Sequence, residues 1–424
     1  MQNLIQFLKN SPTAYQAVSE TEIFLKDNGF EKLSETEDWT LTEGGKYYVV
    51  RNSSSLIAFK VGSLDRFSFR VVASHTDSPA LKLKENAATL QGKYAKLNAE
   101  TYGGGIWYSF FDRPLKIAGR VVTLENGTLK TRNALSSFSV VIPSLAVHMN
   151  RGVNEGFSVN AQTDLQPLYA LAESGAPDFL EEFKGAGELV SYDLYLVNAE
   201  SPYSFGLNGE FLASPRIDNL TSARSSIEAL VSSADGQGVC VAALFDNEEV
   251  GSQTLQGAGG DFLENTLRRV SYALKFDDSE YYKALAGSFV ISLDNAHAMH
   301  PNHPEKSDPT NKTVLGGGVV IKAHANKAYT TDALSSAVVK TVFDKAGVKY
   351  QTFFNRSDMR SGGTLGAISL GHVGVMSADL GLAQLAMHSA TECIAKSDYL
   401  ELVNGLTAYY SSDIVVTDGG VCVE

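Results

Sequence analysis

Val239-Cys240-Val241-Ala242-Ala243-Leu244-Phe245-Asp246-Asn247-Glu248-Glu249-Val250-Gly251-Ser252 joins an apolar run directly to an acidic turn. Its first seven residues form an unbroken apolar run after a glycine. Such a run, bounded by a turn signal, reads as a strand buried on both faces. Two adjacent glutamates emerge where that strand ends. In open α/β sheets, ligands bind beyond the carboxyl ends of the strands. Adjacent carboxylates there repel one another and are costly to desolvate unless a cation compensates. One of them can hold a metal while its neighbour handles a proton. A solvated acidic turn is an equal reading of the pair taken alone.

Similar runs lie on either side. Arg70-Val71-Val72-Ala73-Ser74 reads as a buried strand running into His75, and Phe289-Val290-Ile291-Ser292-Leu293 as another that ends at Asp294. Asp218 precedes a segment in which Leu220, Ala223, Ile227, Leu230 and Val231 share one helical face. Ser11-Pro12 starts a helix that Asn28-Gly29 stops. A further strand is expected from His372 to Met376, and the last long helix near His388. Between about Leu90 and Asn208 the texture changes to short alternating segments. One of them, Gly119 to Leu124, ends at the hairpin signal Asn126-Gly127. The fold class is therefore α/β, a doubly wound mixed sheet (residues 1–88 and 216–424) interrupted by an inserted β-rich domain (89–215).

Composition sets the bounds. A chain of 424 residues exceeds the size of one core, in keeping with two domains. A net charge of −13 argues against nucleic acid or an anionic membrane surface as partner. The three cysteines, Cys240, Cys393 and Cys422, are too scattered for a disulfide framework or a Cys-x-x-Cys metal site. No stretch resembles a signal peptide or reaches membrane-spanning length. A reduced, cytoplasmic setting is expected.

Candidate ligands recur at strand ends and helix starts: His75, Asp218, Glu248, Glu249, Asp294 and His388. Strand ends far apart in sequence converge in space. Imidazole nitrogen with carboxylate oxygen suits zinc, cobalt or manganese, and a carboxylate can bridge two ions about 3.5–4 Å apart. Asp77, two residues after His75, faces the same way on an extended segment and can fix the tautomer of that histidine; capping the turn before Pro79 is the alternative. His297, His300 and His303 are regularly spaced in a Pro/Asn-rich loop but carry less weight than Asp294. His148 sits in an apolar context where a core histidine is the default. The Gly-rich run around Gly362 and Gly363 can offer backbone amides to a carboxylate or an oxyanion. No Gly-x-Ser-x-Gly elbow exists, which speaks against a serine hydrolase.

Together these segments resemble the M18 family of metallo-aminopeptidases, which includes the aspartyl aminopeptidases. The matching stretches are Ser74-His75-Thr76-Asp77-Ser78-Pro79, Tyr102-Gly103-Gly104-Gly105-Ile106-Trp107, Pro215-Arg216-Ile217-Asp218-Asn219-Leu220, Asp246 to Ser252, Asp294 to Asn302 and Gln384-Leu385-Ala386-Met387-His388-Ser389. The resemblance implies a zinc-exopeptidase-like fold and a co-catalytic two-metal aminopeptidase acting on peptides, with zinc the leading metal. Asp218 would bridge the ions, His75 and Asp294 complete one, and Glu249 and His388 the other. Glu248 would be the general base and Asp77 would orient His75. His148 would reach a neighbouring subunit's site; the rival assignment makes His75, His148 and His388 the ligands. Lys322, Gly362 and Gly363 would contact substrate. Asn326 stands where acid-specific members carry a lysine, with Lys327 one position on, so an acidic, neutral or broad preference stays open. The resemblance also implies dimers assembled into a homododecamer. A two-metal amidohydrolase acting on N-acylated amino acids is the alternative enzyme, and a scaffold with a structural metal the non-enzymatic one.

Overall fold

The computed structural model describes all residues but 186, 360, 361, 364, 365, 367–372 and 418. Its principal element is a nine-stranded mixed sheet. Four strands at its centre, Val239–Phe245, Phe69–His75, Phe289–Leu293 and Met376–Gly381, run parallel in that spatial order. Their carboxyl ends therefore open on one side. Strands Lys46–Arg51 and Ser55–Val61 extend the sheet on one flank, and Val319–Lys322 and Tyr350–Phe353 on the other.

Strand alternation divides the core in two. Val72, Ala242, Leu244 and Ile291 pack with Leu4, Val18, Ile227, Phe343 and Leu402 from helices on one face. Val71, Ala73, Val241 and Phe245 pack with Phe262, Leu267 and Tyr281 from helices Phe262–Ala273 and Asp278–Ala286 on the other. Both faces are covered, which is why the strands read as continuous apolar runs. The sheet is doubly wound, as the sequence pattern predicts.

A second, six-stranded antiparallel sheet has its own core, including Leu81, Leu97, Ile117, Val121, Leu194 and Leu196. It uses strands Ala80–Gln91, Tyr94–Tyr102, Leu115–Glu125, Thr128–Leu135, Leu168–Leu171 and Glu188–Asn198. Asn126-Gly127 forms the expected hairpin turn, with Glu125 opposite Thr128. Helix Ala14–Asp27 ties the two sheets together. It packs in the main core, yet Gln16 Nε2 donates to the carbonyls of Gly119 (2.9 Å) and Ala134 (3.0 Å), and Tyr15 OH to Asp193 Oδ2 (3.2 Å).

Two local expectations fail. His388 does not open a helix: it sits at φ 66° in a turn, strand Glu392–Ala395 follows, and the helix runs Lys396–Ser411. A left-handed residue stops helical propagation at His388. The last central strand begins at Met376, where Ser377 and Asp379 interrupt an otherwise apolar run; His372 lies outside the described residues. Among the described residues no helix is long and apolar enough to cross a membrane.

Candidate metal centre

The turn after Val239–Phe245 is tight. Asn247 is left-handed (φ 63°), Glu248–Val250 form one 3-10 turn, and Gly251 has φ 98°. Asparagine and glycine are the residues that accept this backbone at low cost. Ser252 N donates to Asn247 O at 2.8 Å and closes the loop. Asp77 receives it: Glu248 N donates to Oδ1 (3.1 Å) and Glu249 N to Oδ2 (3.2 Å). Tyr102 OH also donates to Asp77 Oδ2 (2.7 Å) and accepts from Asn247 Nδ2 (2.9 Å). Asp77 thus does more than the sequence suggests. Its carbonyl lies 3.1 Å and its Oδ1 3.3 Å from His75 Nδ1, while the carboxylate also fixes the glutamate turn.

With Nδ1 turned to Asp77, His75 presents Nε2 to Asp218 Oδ1 at 3.6 Å and Asp294 Oδ1 at 3.7 Å. His388 does the same from the other side. Its Nδ1 faces Gly104 O at 3.0 Å, and its Nε2 lies 3.5 Å from Asp218 Oδ2 and 3.4 Å from Glu249 Oε1. Asp218, 3 % exposed, therefore stands between two imidazoles with one oxygen toward each. Three overlapping groups result, in each of which the candidate ligand atoms lie within 4.8 Å: His75 with Glu248 and Glu249; His75 with Asp218 and Asp294; and Asp218 with Glu249 and His388.

So many acids at one point distort their own titration. Burial pushes the Glu248 carboxyl up to about 7; His75 opposes this, while Asp294, Asp77 and Asp218 add to it. Glu249 is raised well above the carboxylate range by burial and then by Asp218. Burial alone would lower both histidines, but their acidic neighbours win. Asp294 and Asp77 raise His75 well above its ordinary value, and Asp218 with Glu249 carries His388 up to about 10. Asp294 goes the other way, because the Lys322 ammonium and His75 outweigh its burial. Crowding thus favours the protonated forms of Glu248, Glu249, His75 and His388, and a divalent cation supplies the same compensation. Asp218 Oδ1 is buried and among the described residues accepts no hydrogen bond, a costly state that a cation relieves. Mixed imidazole and carboxylate donors fit zinc, cobalt or manganese.

This geometry agrees with what the chain is similar to. The family described as "Aminopeptidase I zinc metalloprotease (M18)" matches residues 7–410. The chain belongs to the M18 family of aminopeptidases. A "Probable M18 family aminopeptidase 2" of Clostridium novyi is 39 % identical over 413 residues, 93 % of this chain and 95 % of that protein. Ape4, solved in complex with Nbr1, superposes with a TM-score of 0.92 at 33 % identity, covering 97 % of this chain and 85 % of that one. The mApe1 dodecamer of S. cerevisiae gives a TM-score of 0.83 at 27 % identity, covering 96 % and 95 %.

The remaining candidates of this M18 aminopeptidase fall elsewhere. His148 is exposed among Leu145, Val147 and Met149, not a core histidine, and belongs to none of the three groups. Lys322 is 1 % exposed; its Nζ donates to Asp294 O at 2.8 Å, so it steadies that backbone rather than facing an open cleft. Gly362 and Gly363 are exposed, outside helix and strand, and several of their neighbours lie outside the described residues. His297, at the end of strand Ala296–His297, feels the charges of Asp218, Lys322, His388 and Asp294 but belongs to none of the ligand groups, and neither do His300 and His303, whose rings are 5.2 Å apart.

Sequence reasoning missed what Tyr102-Gly103-Gly104 does. Gly103 (φ +72°) abuts Glu249, whose Cβ would lie 3.0 Å from any side chain added there, and Gly104 supplies the carbonyl for His388. The glycine triplet was visible; its partners were not. It also missed Glu392, a buried carboxylate four residues after His388.

Proposed function

We propose that this M18 aminopeptidase holds two divalent ions, zinc in the first instance with cobalt or manganese able to take the same donors, and removes the N-terminal residue from peptides. In this reading Asp218 bridges, His75 and Asp294 complete one site, and Glu249 and His388 the other. The observation that carries it is the Asp218 carboxylate, whose oxygens face His75 Nε2 at 3.6 Å and His388 Nε2 at 3.5 Å. When bound, the ions acidify a water and polarise the scissile carbonyl.

The chain's own groups do the rest. Glu248 is the acid of the cluster reserved for protons: it takes one from the attacking water and returns it to the leaving amine, a general acid–base role. Asp77 holds His75 in the tautomer that offers Nε2 and fixes the amides of Glu248 and Glu249. Lys322 steadies Asp294 from behind.

The reading extends to assembly. The boundaries read from sequence, 1–88 and 216–424 around 89–215, move with the sheets: strand Ala80–Gln91 already belongs to the six-stranded sheet and Phe211–Ser214 pairs with Glu392–Ala395, so the inserted dimerisation domain runs from about Ala80 to Asn198 and the catalytic domain takes the rest. Dimers build a homododecamer in which His148 reaches a neighbouring subunit. The exposed Leu145, Val147 and Met149 beside His148 support this, as does the dodecamer formed by mApe1.

The test joins metal analysis of the purified protein to a panel of aminoacyl and N-acylated substrates. Two ions per chain and cleavage that disappears on blocking the free amine are expected. Absence of bound metal, or a requirement for acylation, would replace this reading.

A further inference from the structure

Glu392 begins strand Glu392–Ala395, is 2 % exposed, and belongs to none of the three groups of candidate ligands. Its two oxygens nevertheless go to two of those ligands. Oε2 accepts from Asp218 N at 2.9 Å and Oε1 from His388 N at 2.7 Å. These two residues lie 170 positions apart and on different elements, and one side chain fixes the backbone of both.

Both residues need such an external acceptor. The His388 backbone is left-handed at φ 66°, and Asp218 is non-helical (φ −81°, ψ 110°) within the first turn of helix Ile217–Ser232. Neither N–H is satisfied by regular helix or sheet pairing. A carboxylate is the strongest neutralising acceptor for two converging N–H groups. It reproduces around Asp218 and His388 what Asp77 does around Glu248 and Glu249.

Glu392 and Asp77 also line one cleft, together with His388, Asp246 and Tyr102. His75, Asp218, Glu248, Glu249 and Asp294 are not among its lining residues. Glu392 therefore approaches the ligands from behind.

We propose that Glu392 is a positioning residue of the metal centre: by fixing Asp218 and His388 together it sets the affinity of the ion those two residues share. This rests on the two-metal reading. Glu392 itself touches neither ion nor substrate. Groups that orient metal ligands typically account for about 10–100-fold in metal affinity.

The test is Glu392→Gln. It preserves volume beside the cleft but turns an amide NH₂ against one of the two N–H donors. Titration of the metal-free protein with Zn²⁺ against a chromophoric chelator reads each binding step without reference to turnover. The expected result is the step at the Glu249 and His388 site weakened about 10–100-fold and the other step weakened less, because Asp218 is shared by both sites while His388 serves one, with kcat restored by added Zn²⁺ and KM unaltered. Glu392→Asp, one methylene short, keeps the charge and should fall between the two; it also serves if the glutamine variant folds poorly. Two wild-type binding steps in either folded variant, or a kcat loss that metal does not restore, overturn the proposal. A wild-type protein that takes up no Zn²⁺ overturns the two-metal reading as well.

Discussion

The two ends of the central parallel strands are built to opposite rules. At the amino ends, side-chain-to-backbone hydrogen bonds and stacked rings close the gaps. Ser288 Oγ accepts from Phe69 N (2.8 Å), Arg70 NH1 donates to Ser412 O (2.6 Å), and the Phe67 and Phe276 rings stack 4.0 Å apart. At the carboxyl ends, His75, Glu248, Glu249 and Asp294 crowd around Asp218 with few cationic partners. One end holds the sheet together; the other concentrates like charge that only protons or cations relieve. Stability and function are thus assigned to opposite ends of the same strands.

The sharpest way to break this contrast is Glu248→Gln. We expect kcat to fall about 10²–10⁴-fold with metal content unchanged. The same variant should raise the melting temperature of the chelator-treated protein at pH 8, because one repelling acid is gone. Unaltered turnover would remove Glu248 from the chemistry.

The amino end should respond in reverse. Phe67→Ala removes half of a stacked pair from a half-buried site, and should lower unfolding free energy by about 2 kcal/mol while kcat stays at the wild-type value. Denaturant melts and steady-state kinetics on the same sample decide it; a large kcat loss would mean the two ends are coupled.

Tyr102→Phe probes the second sheet's reach into the centre. Asp77 loses its hydroxyl donor and Asn247 its acceptor. A kcat loss of roughly 10-fold, about 1.4 kcal/mol, is expected, with KM near wild type. An equal rise in KM would place Tyr102 on substrate binding instead.

The most general effect is on pH dependence. Glu248 and Glu392 titrate near 7 and 8 in the folded chain, both raised first by burial, against about 4.3 when unfolded. His388 is raised to about 10, against about 6.5 unfolded. In each interval the folded state binds more protons, so the stability of the metal-free chain falls as pH rises. The acid contribution is lost between about 4.3 and 8, and that of the histidine between about 6.5 and 10. Thermal melts in chelator should decline from pH 5 to 9, and added Zn²⁺ should flatten the decline. A flat profile in chelator would mean that the acids are better solvated than their burial indicates.

Much of this was legible in the sequence, for a physical reason. Strands covered on both faces must be apolar throughout, so Val239–Phe245, Phe69–His75 and Phe289–Leu293 announce themselves, and each hands over its polar group at its carboxyl end. Met376–Gly381 did not, since Asp379 sits inside it. The turn at His388 was misread because its left-handed backbone is held from outside, by Glu392 and Gly104, and not by residues next to it. The second role of Asp77 was hidden likewise: spacing shows that it shares a face with His75, whereas its bonds to Glu248 and Glu249 span more than 170 positions.

Helix Ala14–Asp27 has a consequence for the order of events during synthesis. It leaves the ribosome early, but Gln16 waits 103 residues for Gly119 and Tyr15 waits 178 for Asp193. Contacts so distant in sequence are slow to form, because the intervening loop must close first. The apolar face of this segment is therefore unshielded while most of the chain is still being made. Its docking is a natural late step in reaching the native state, and the nascent chain is a natural client for chaperones until then.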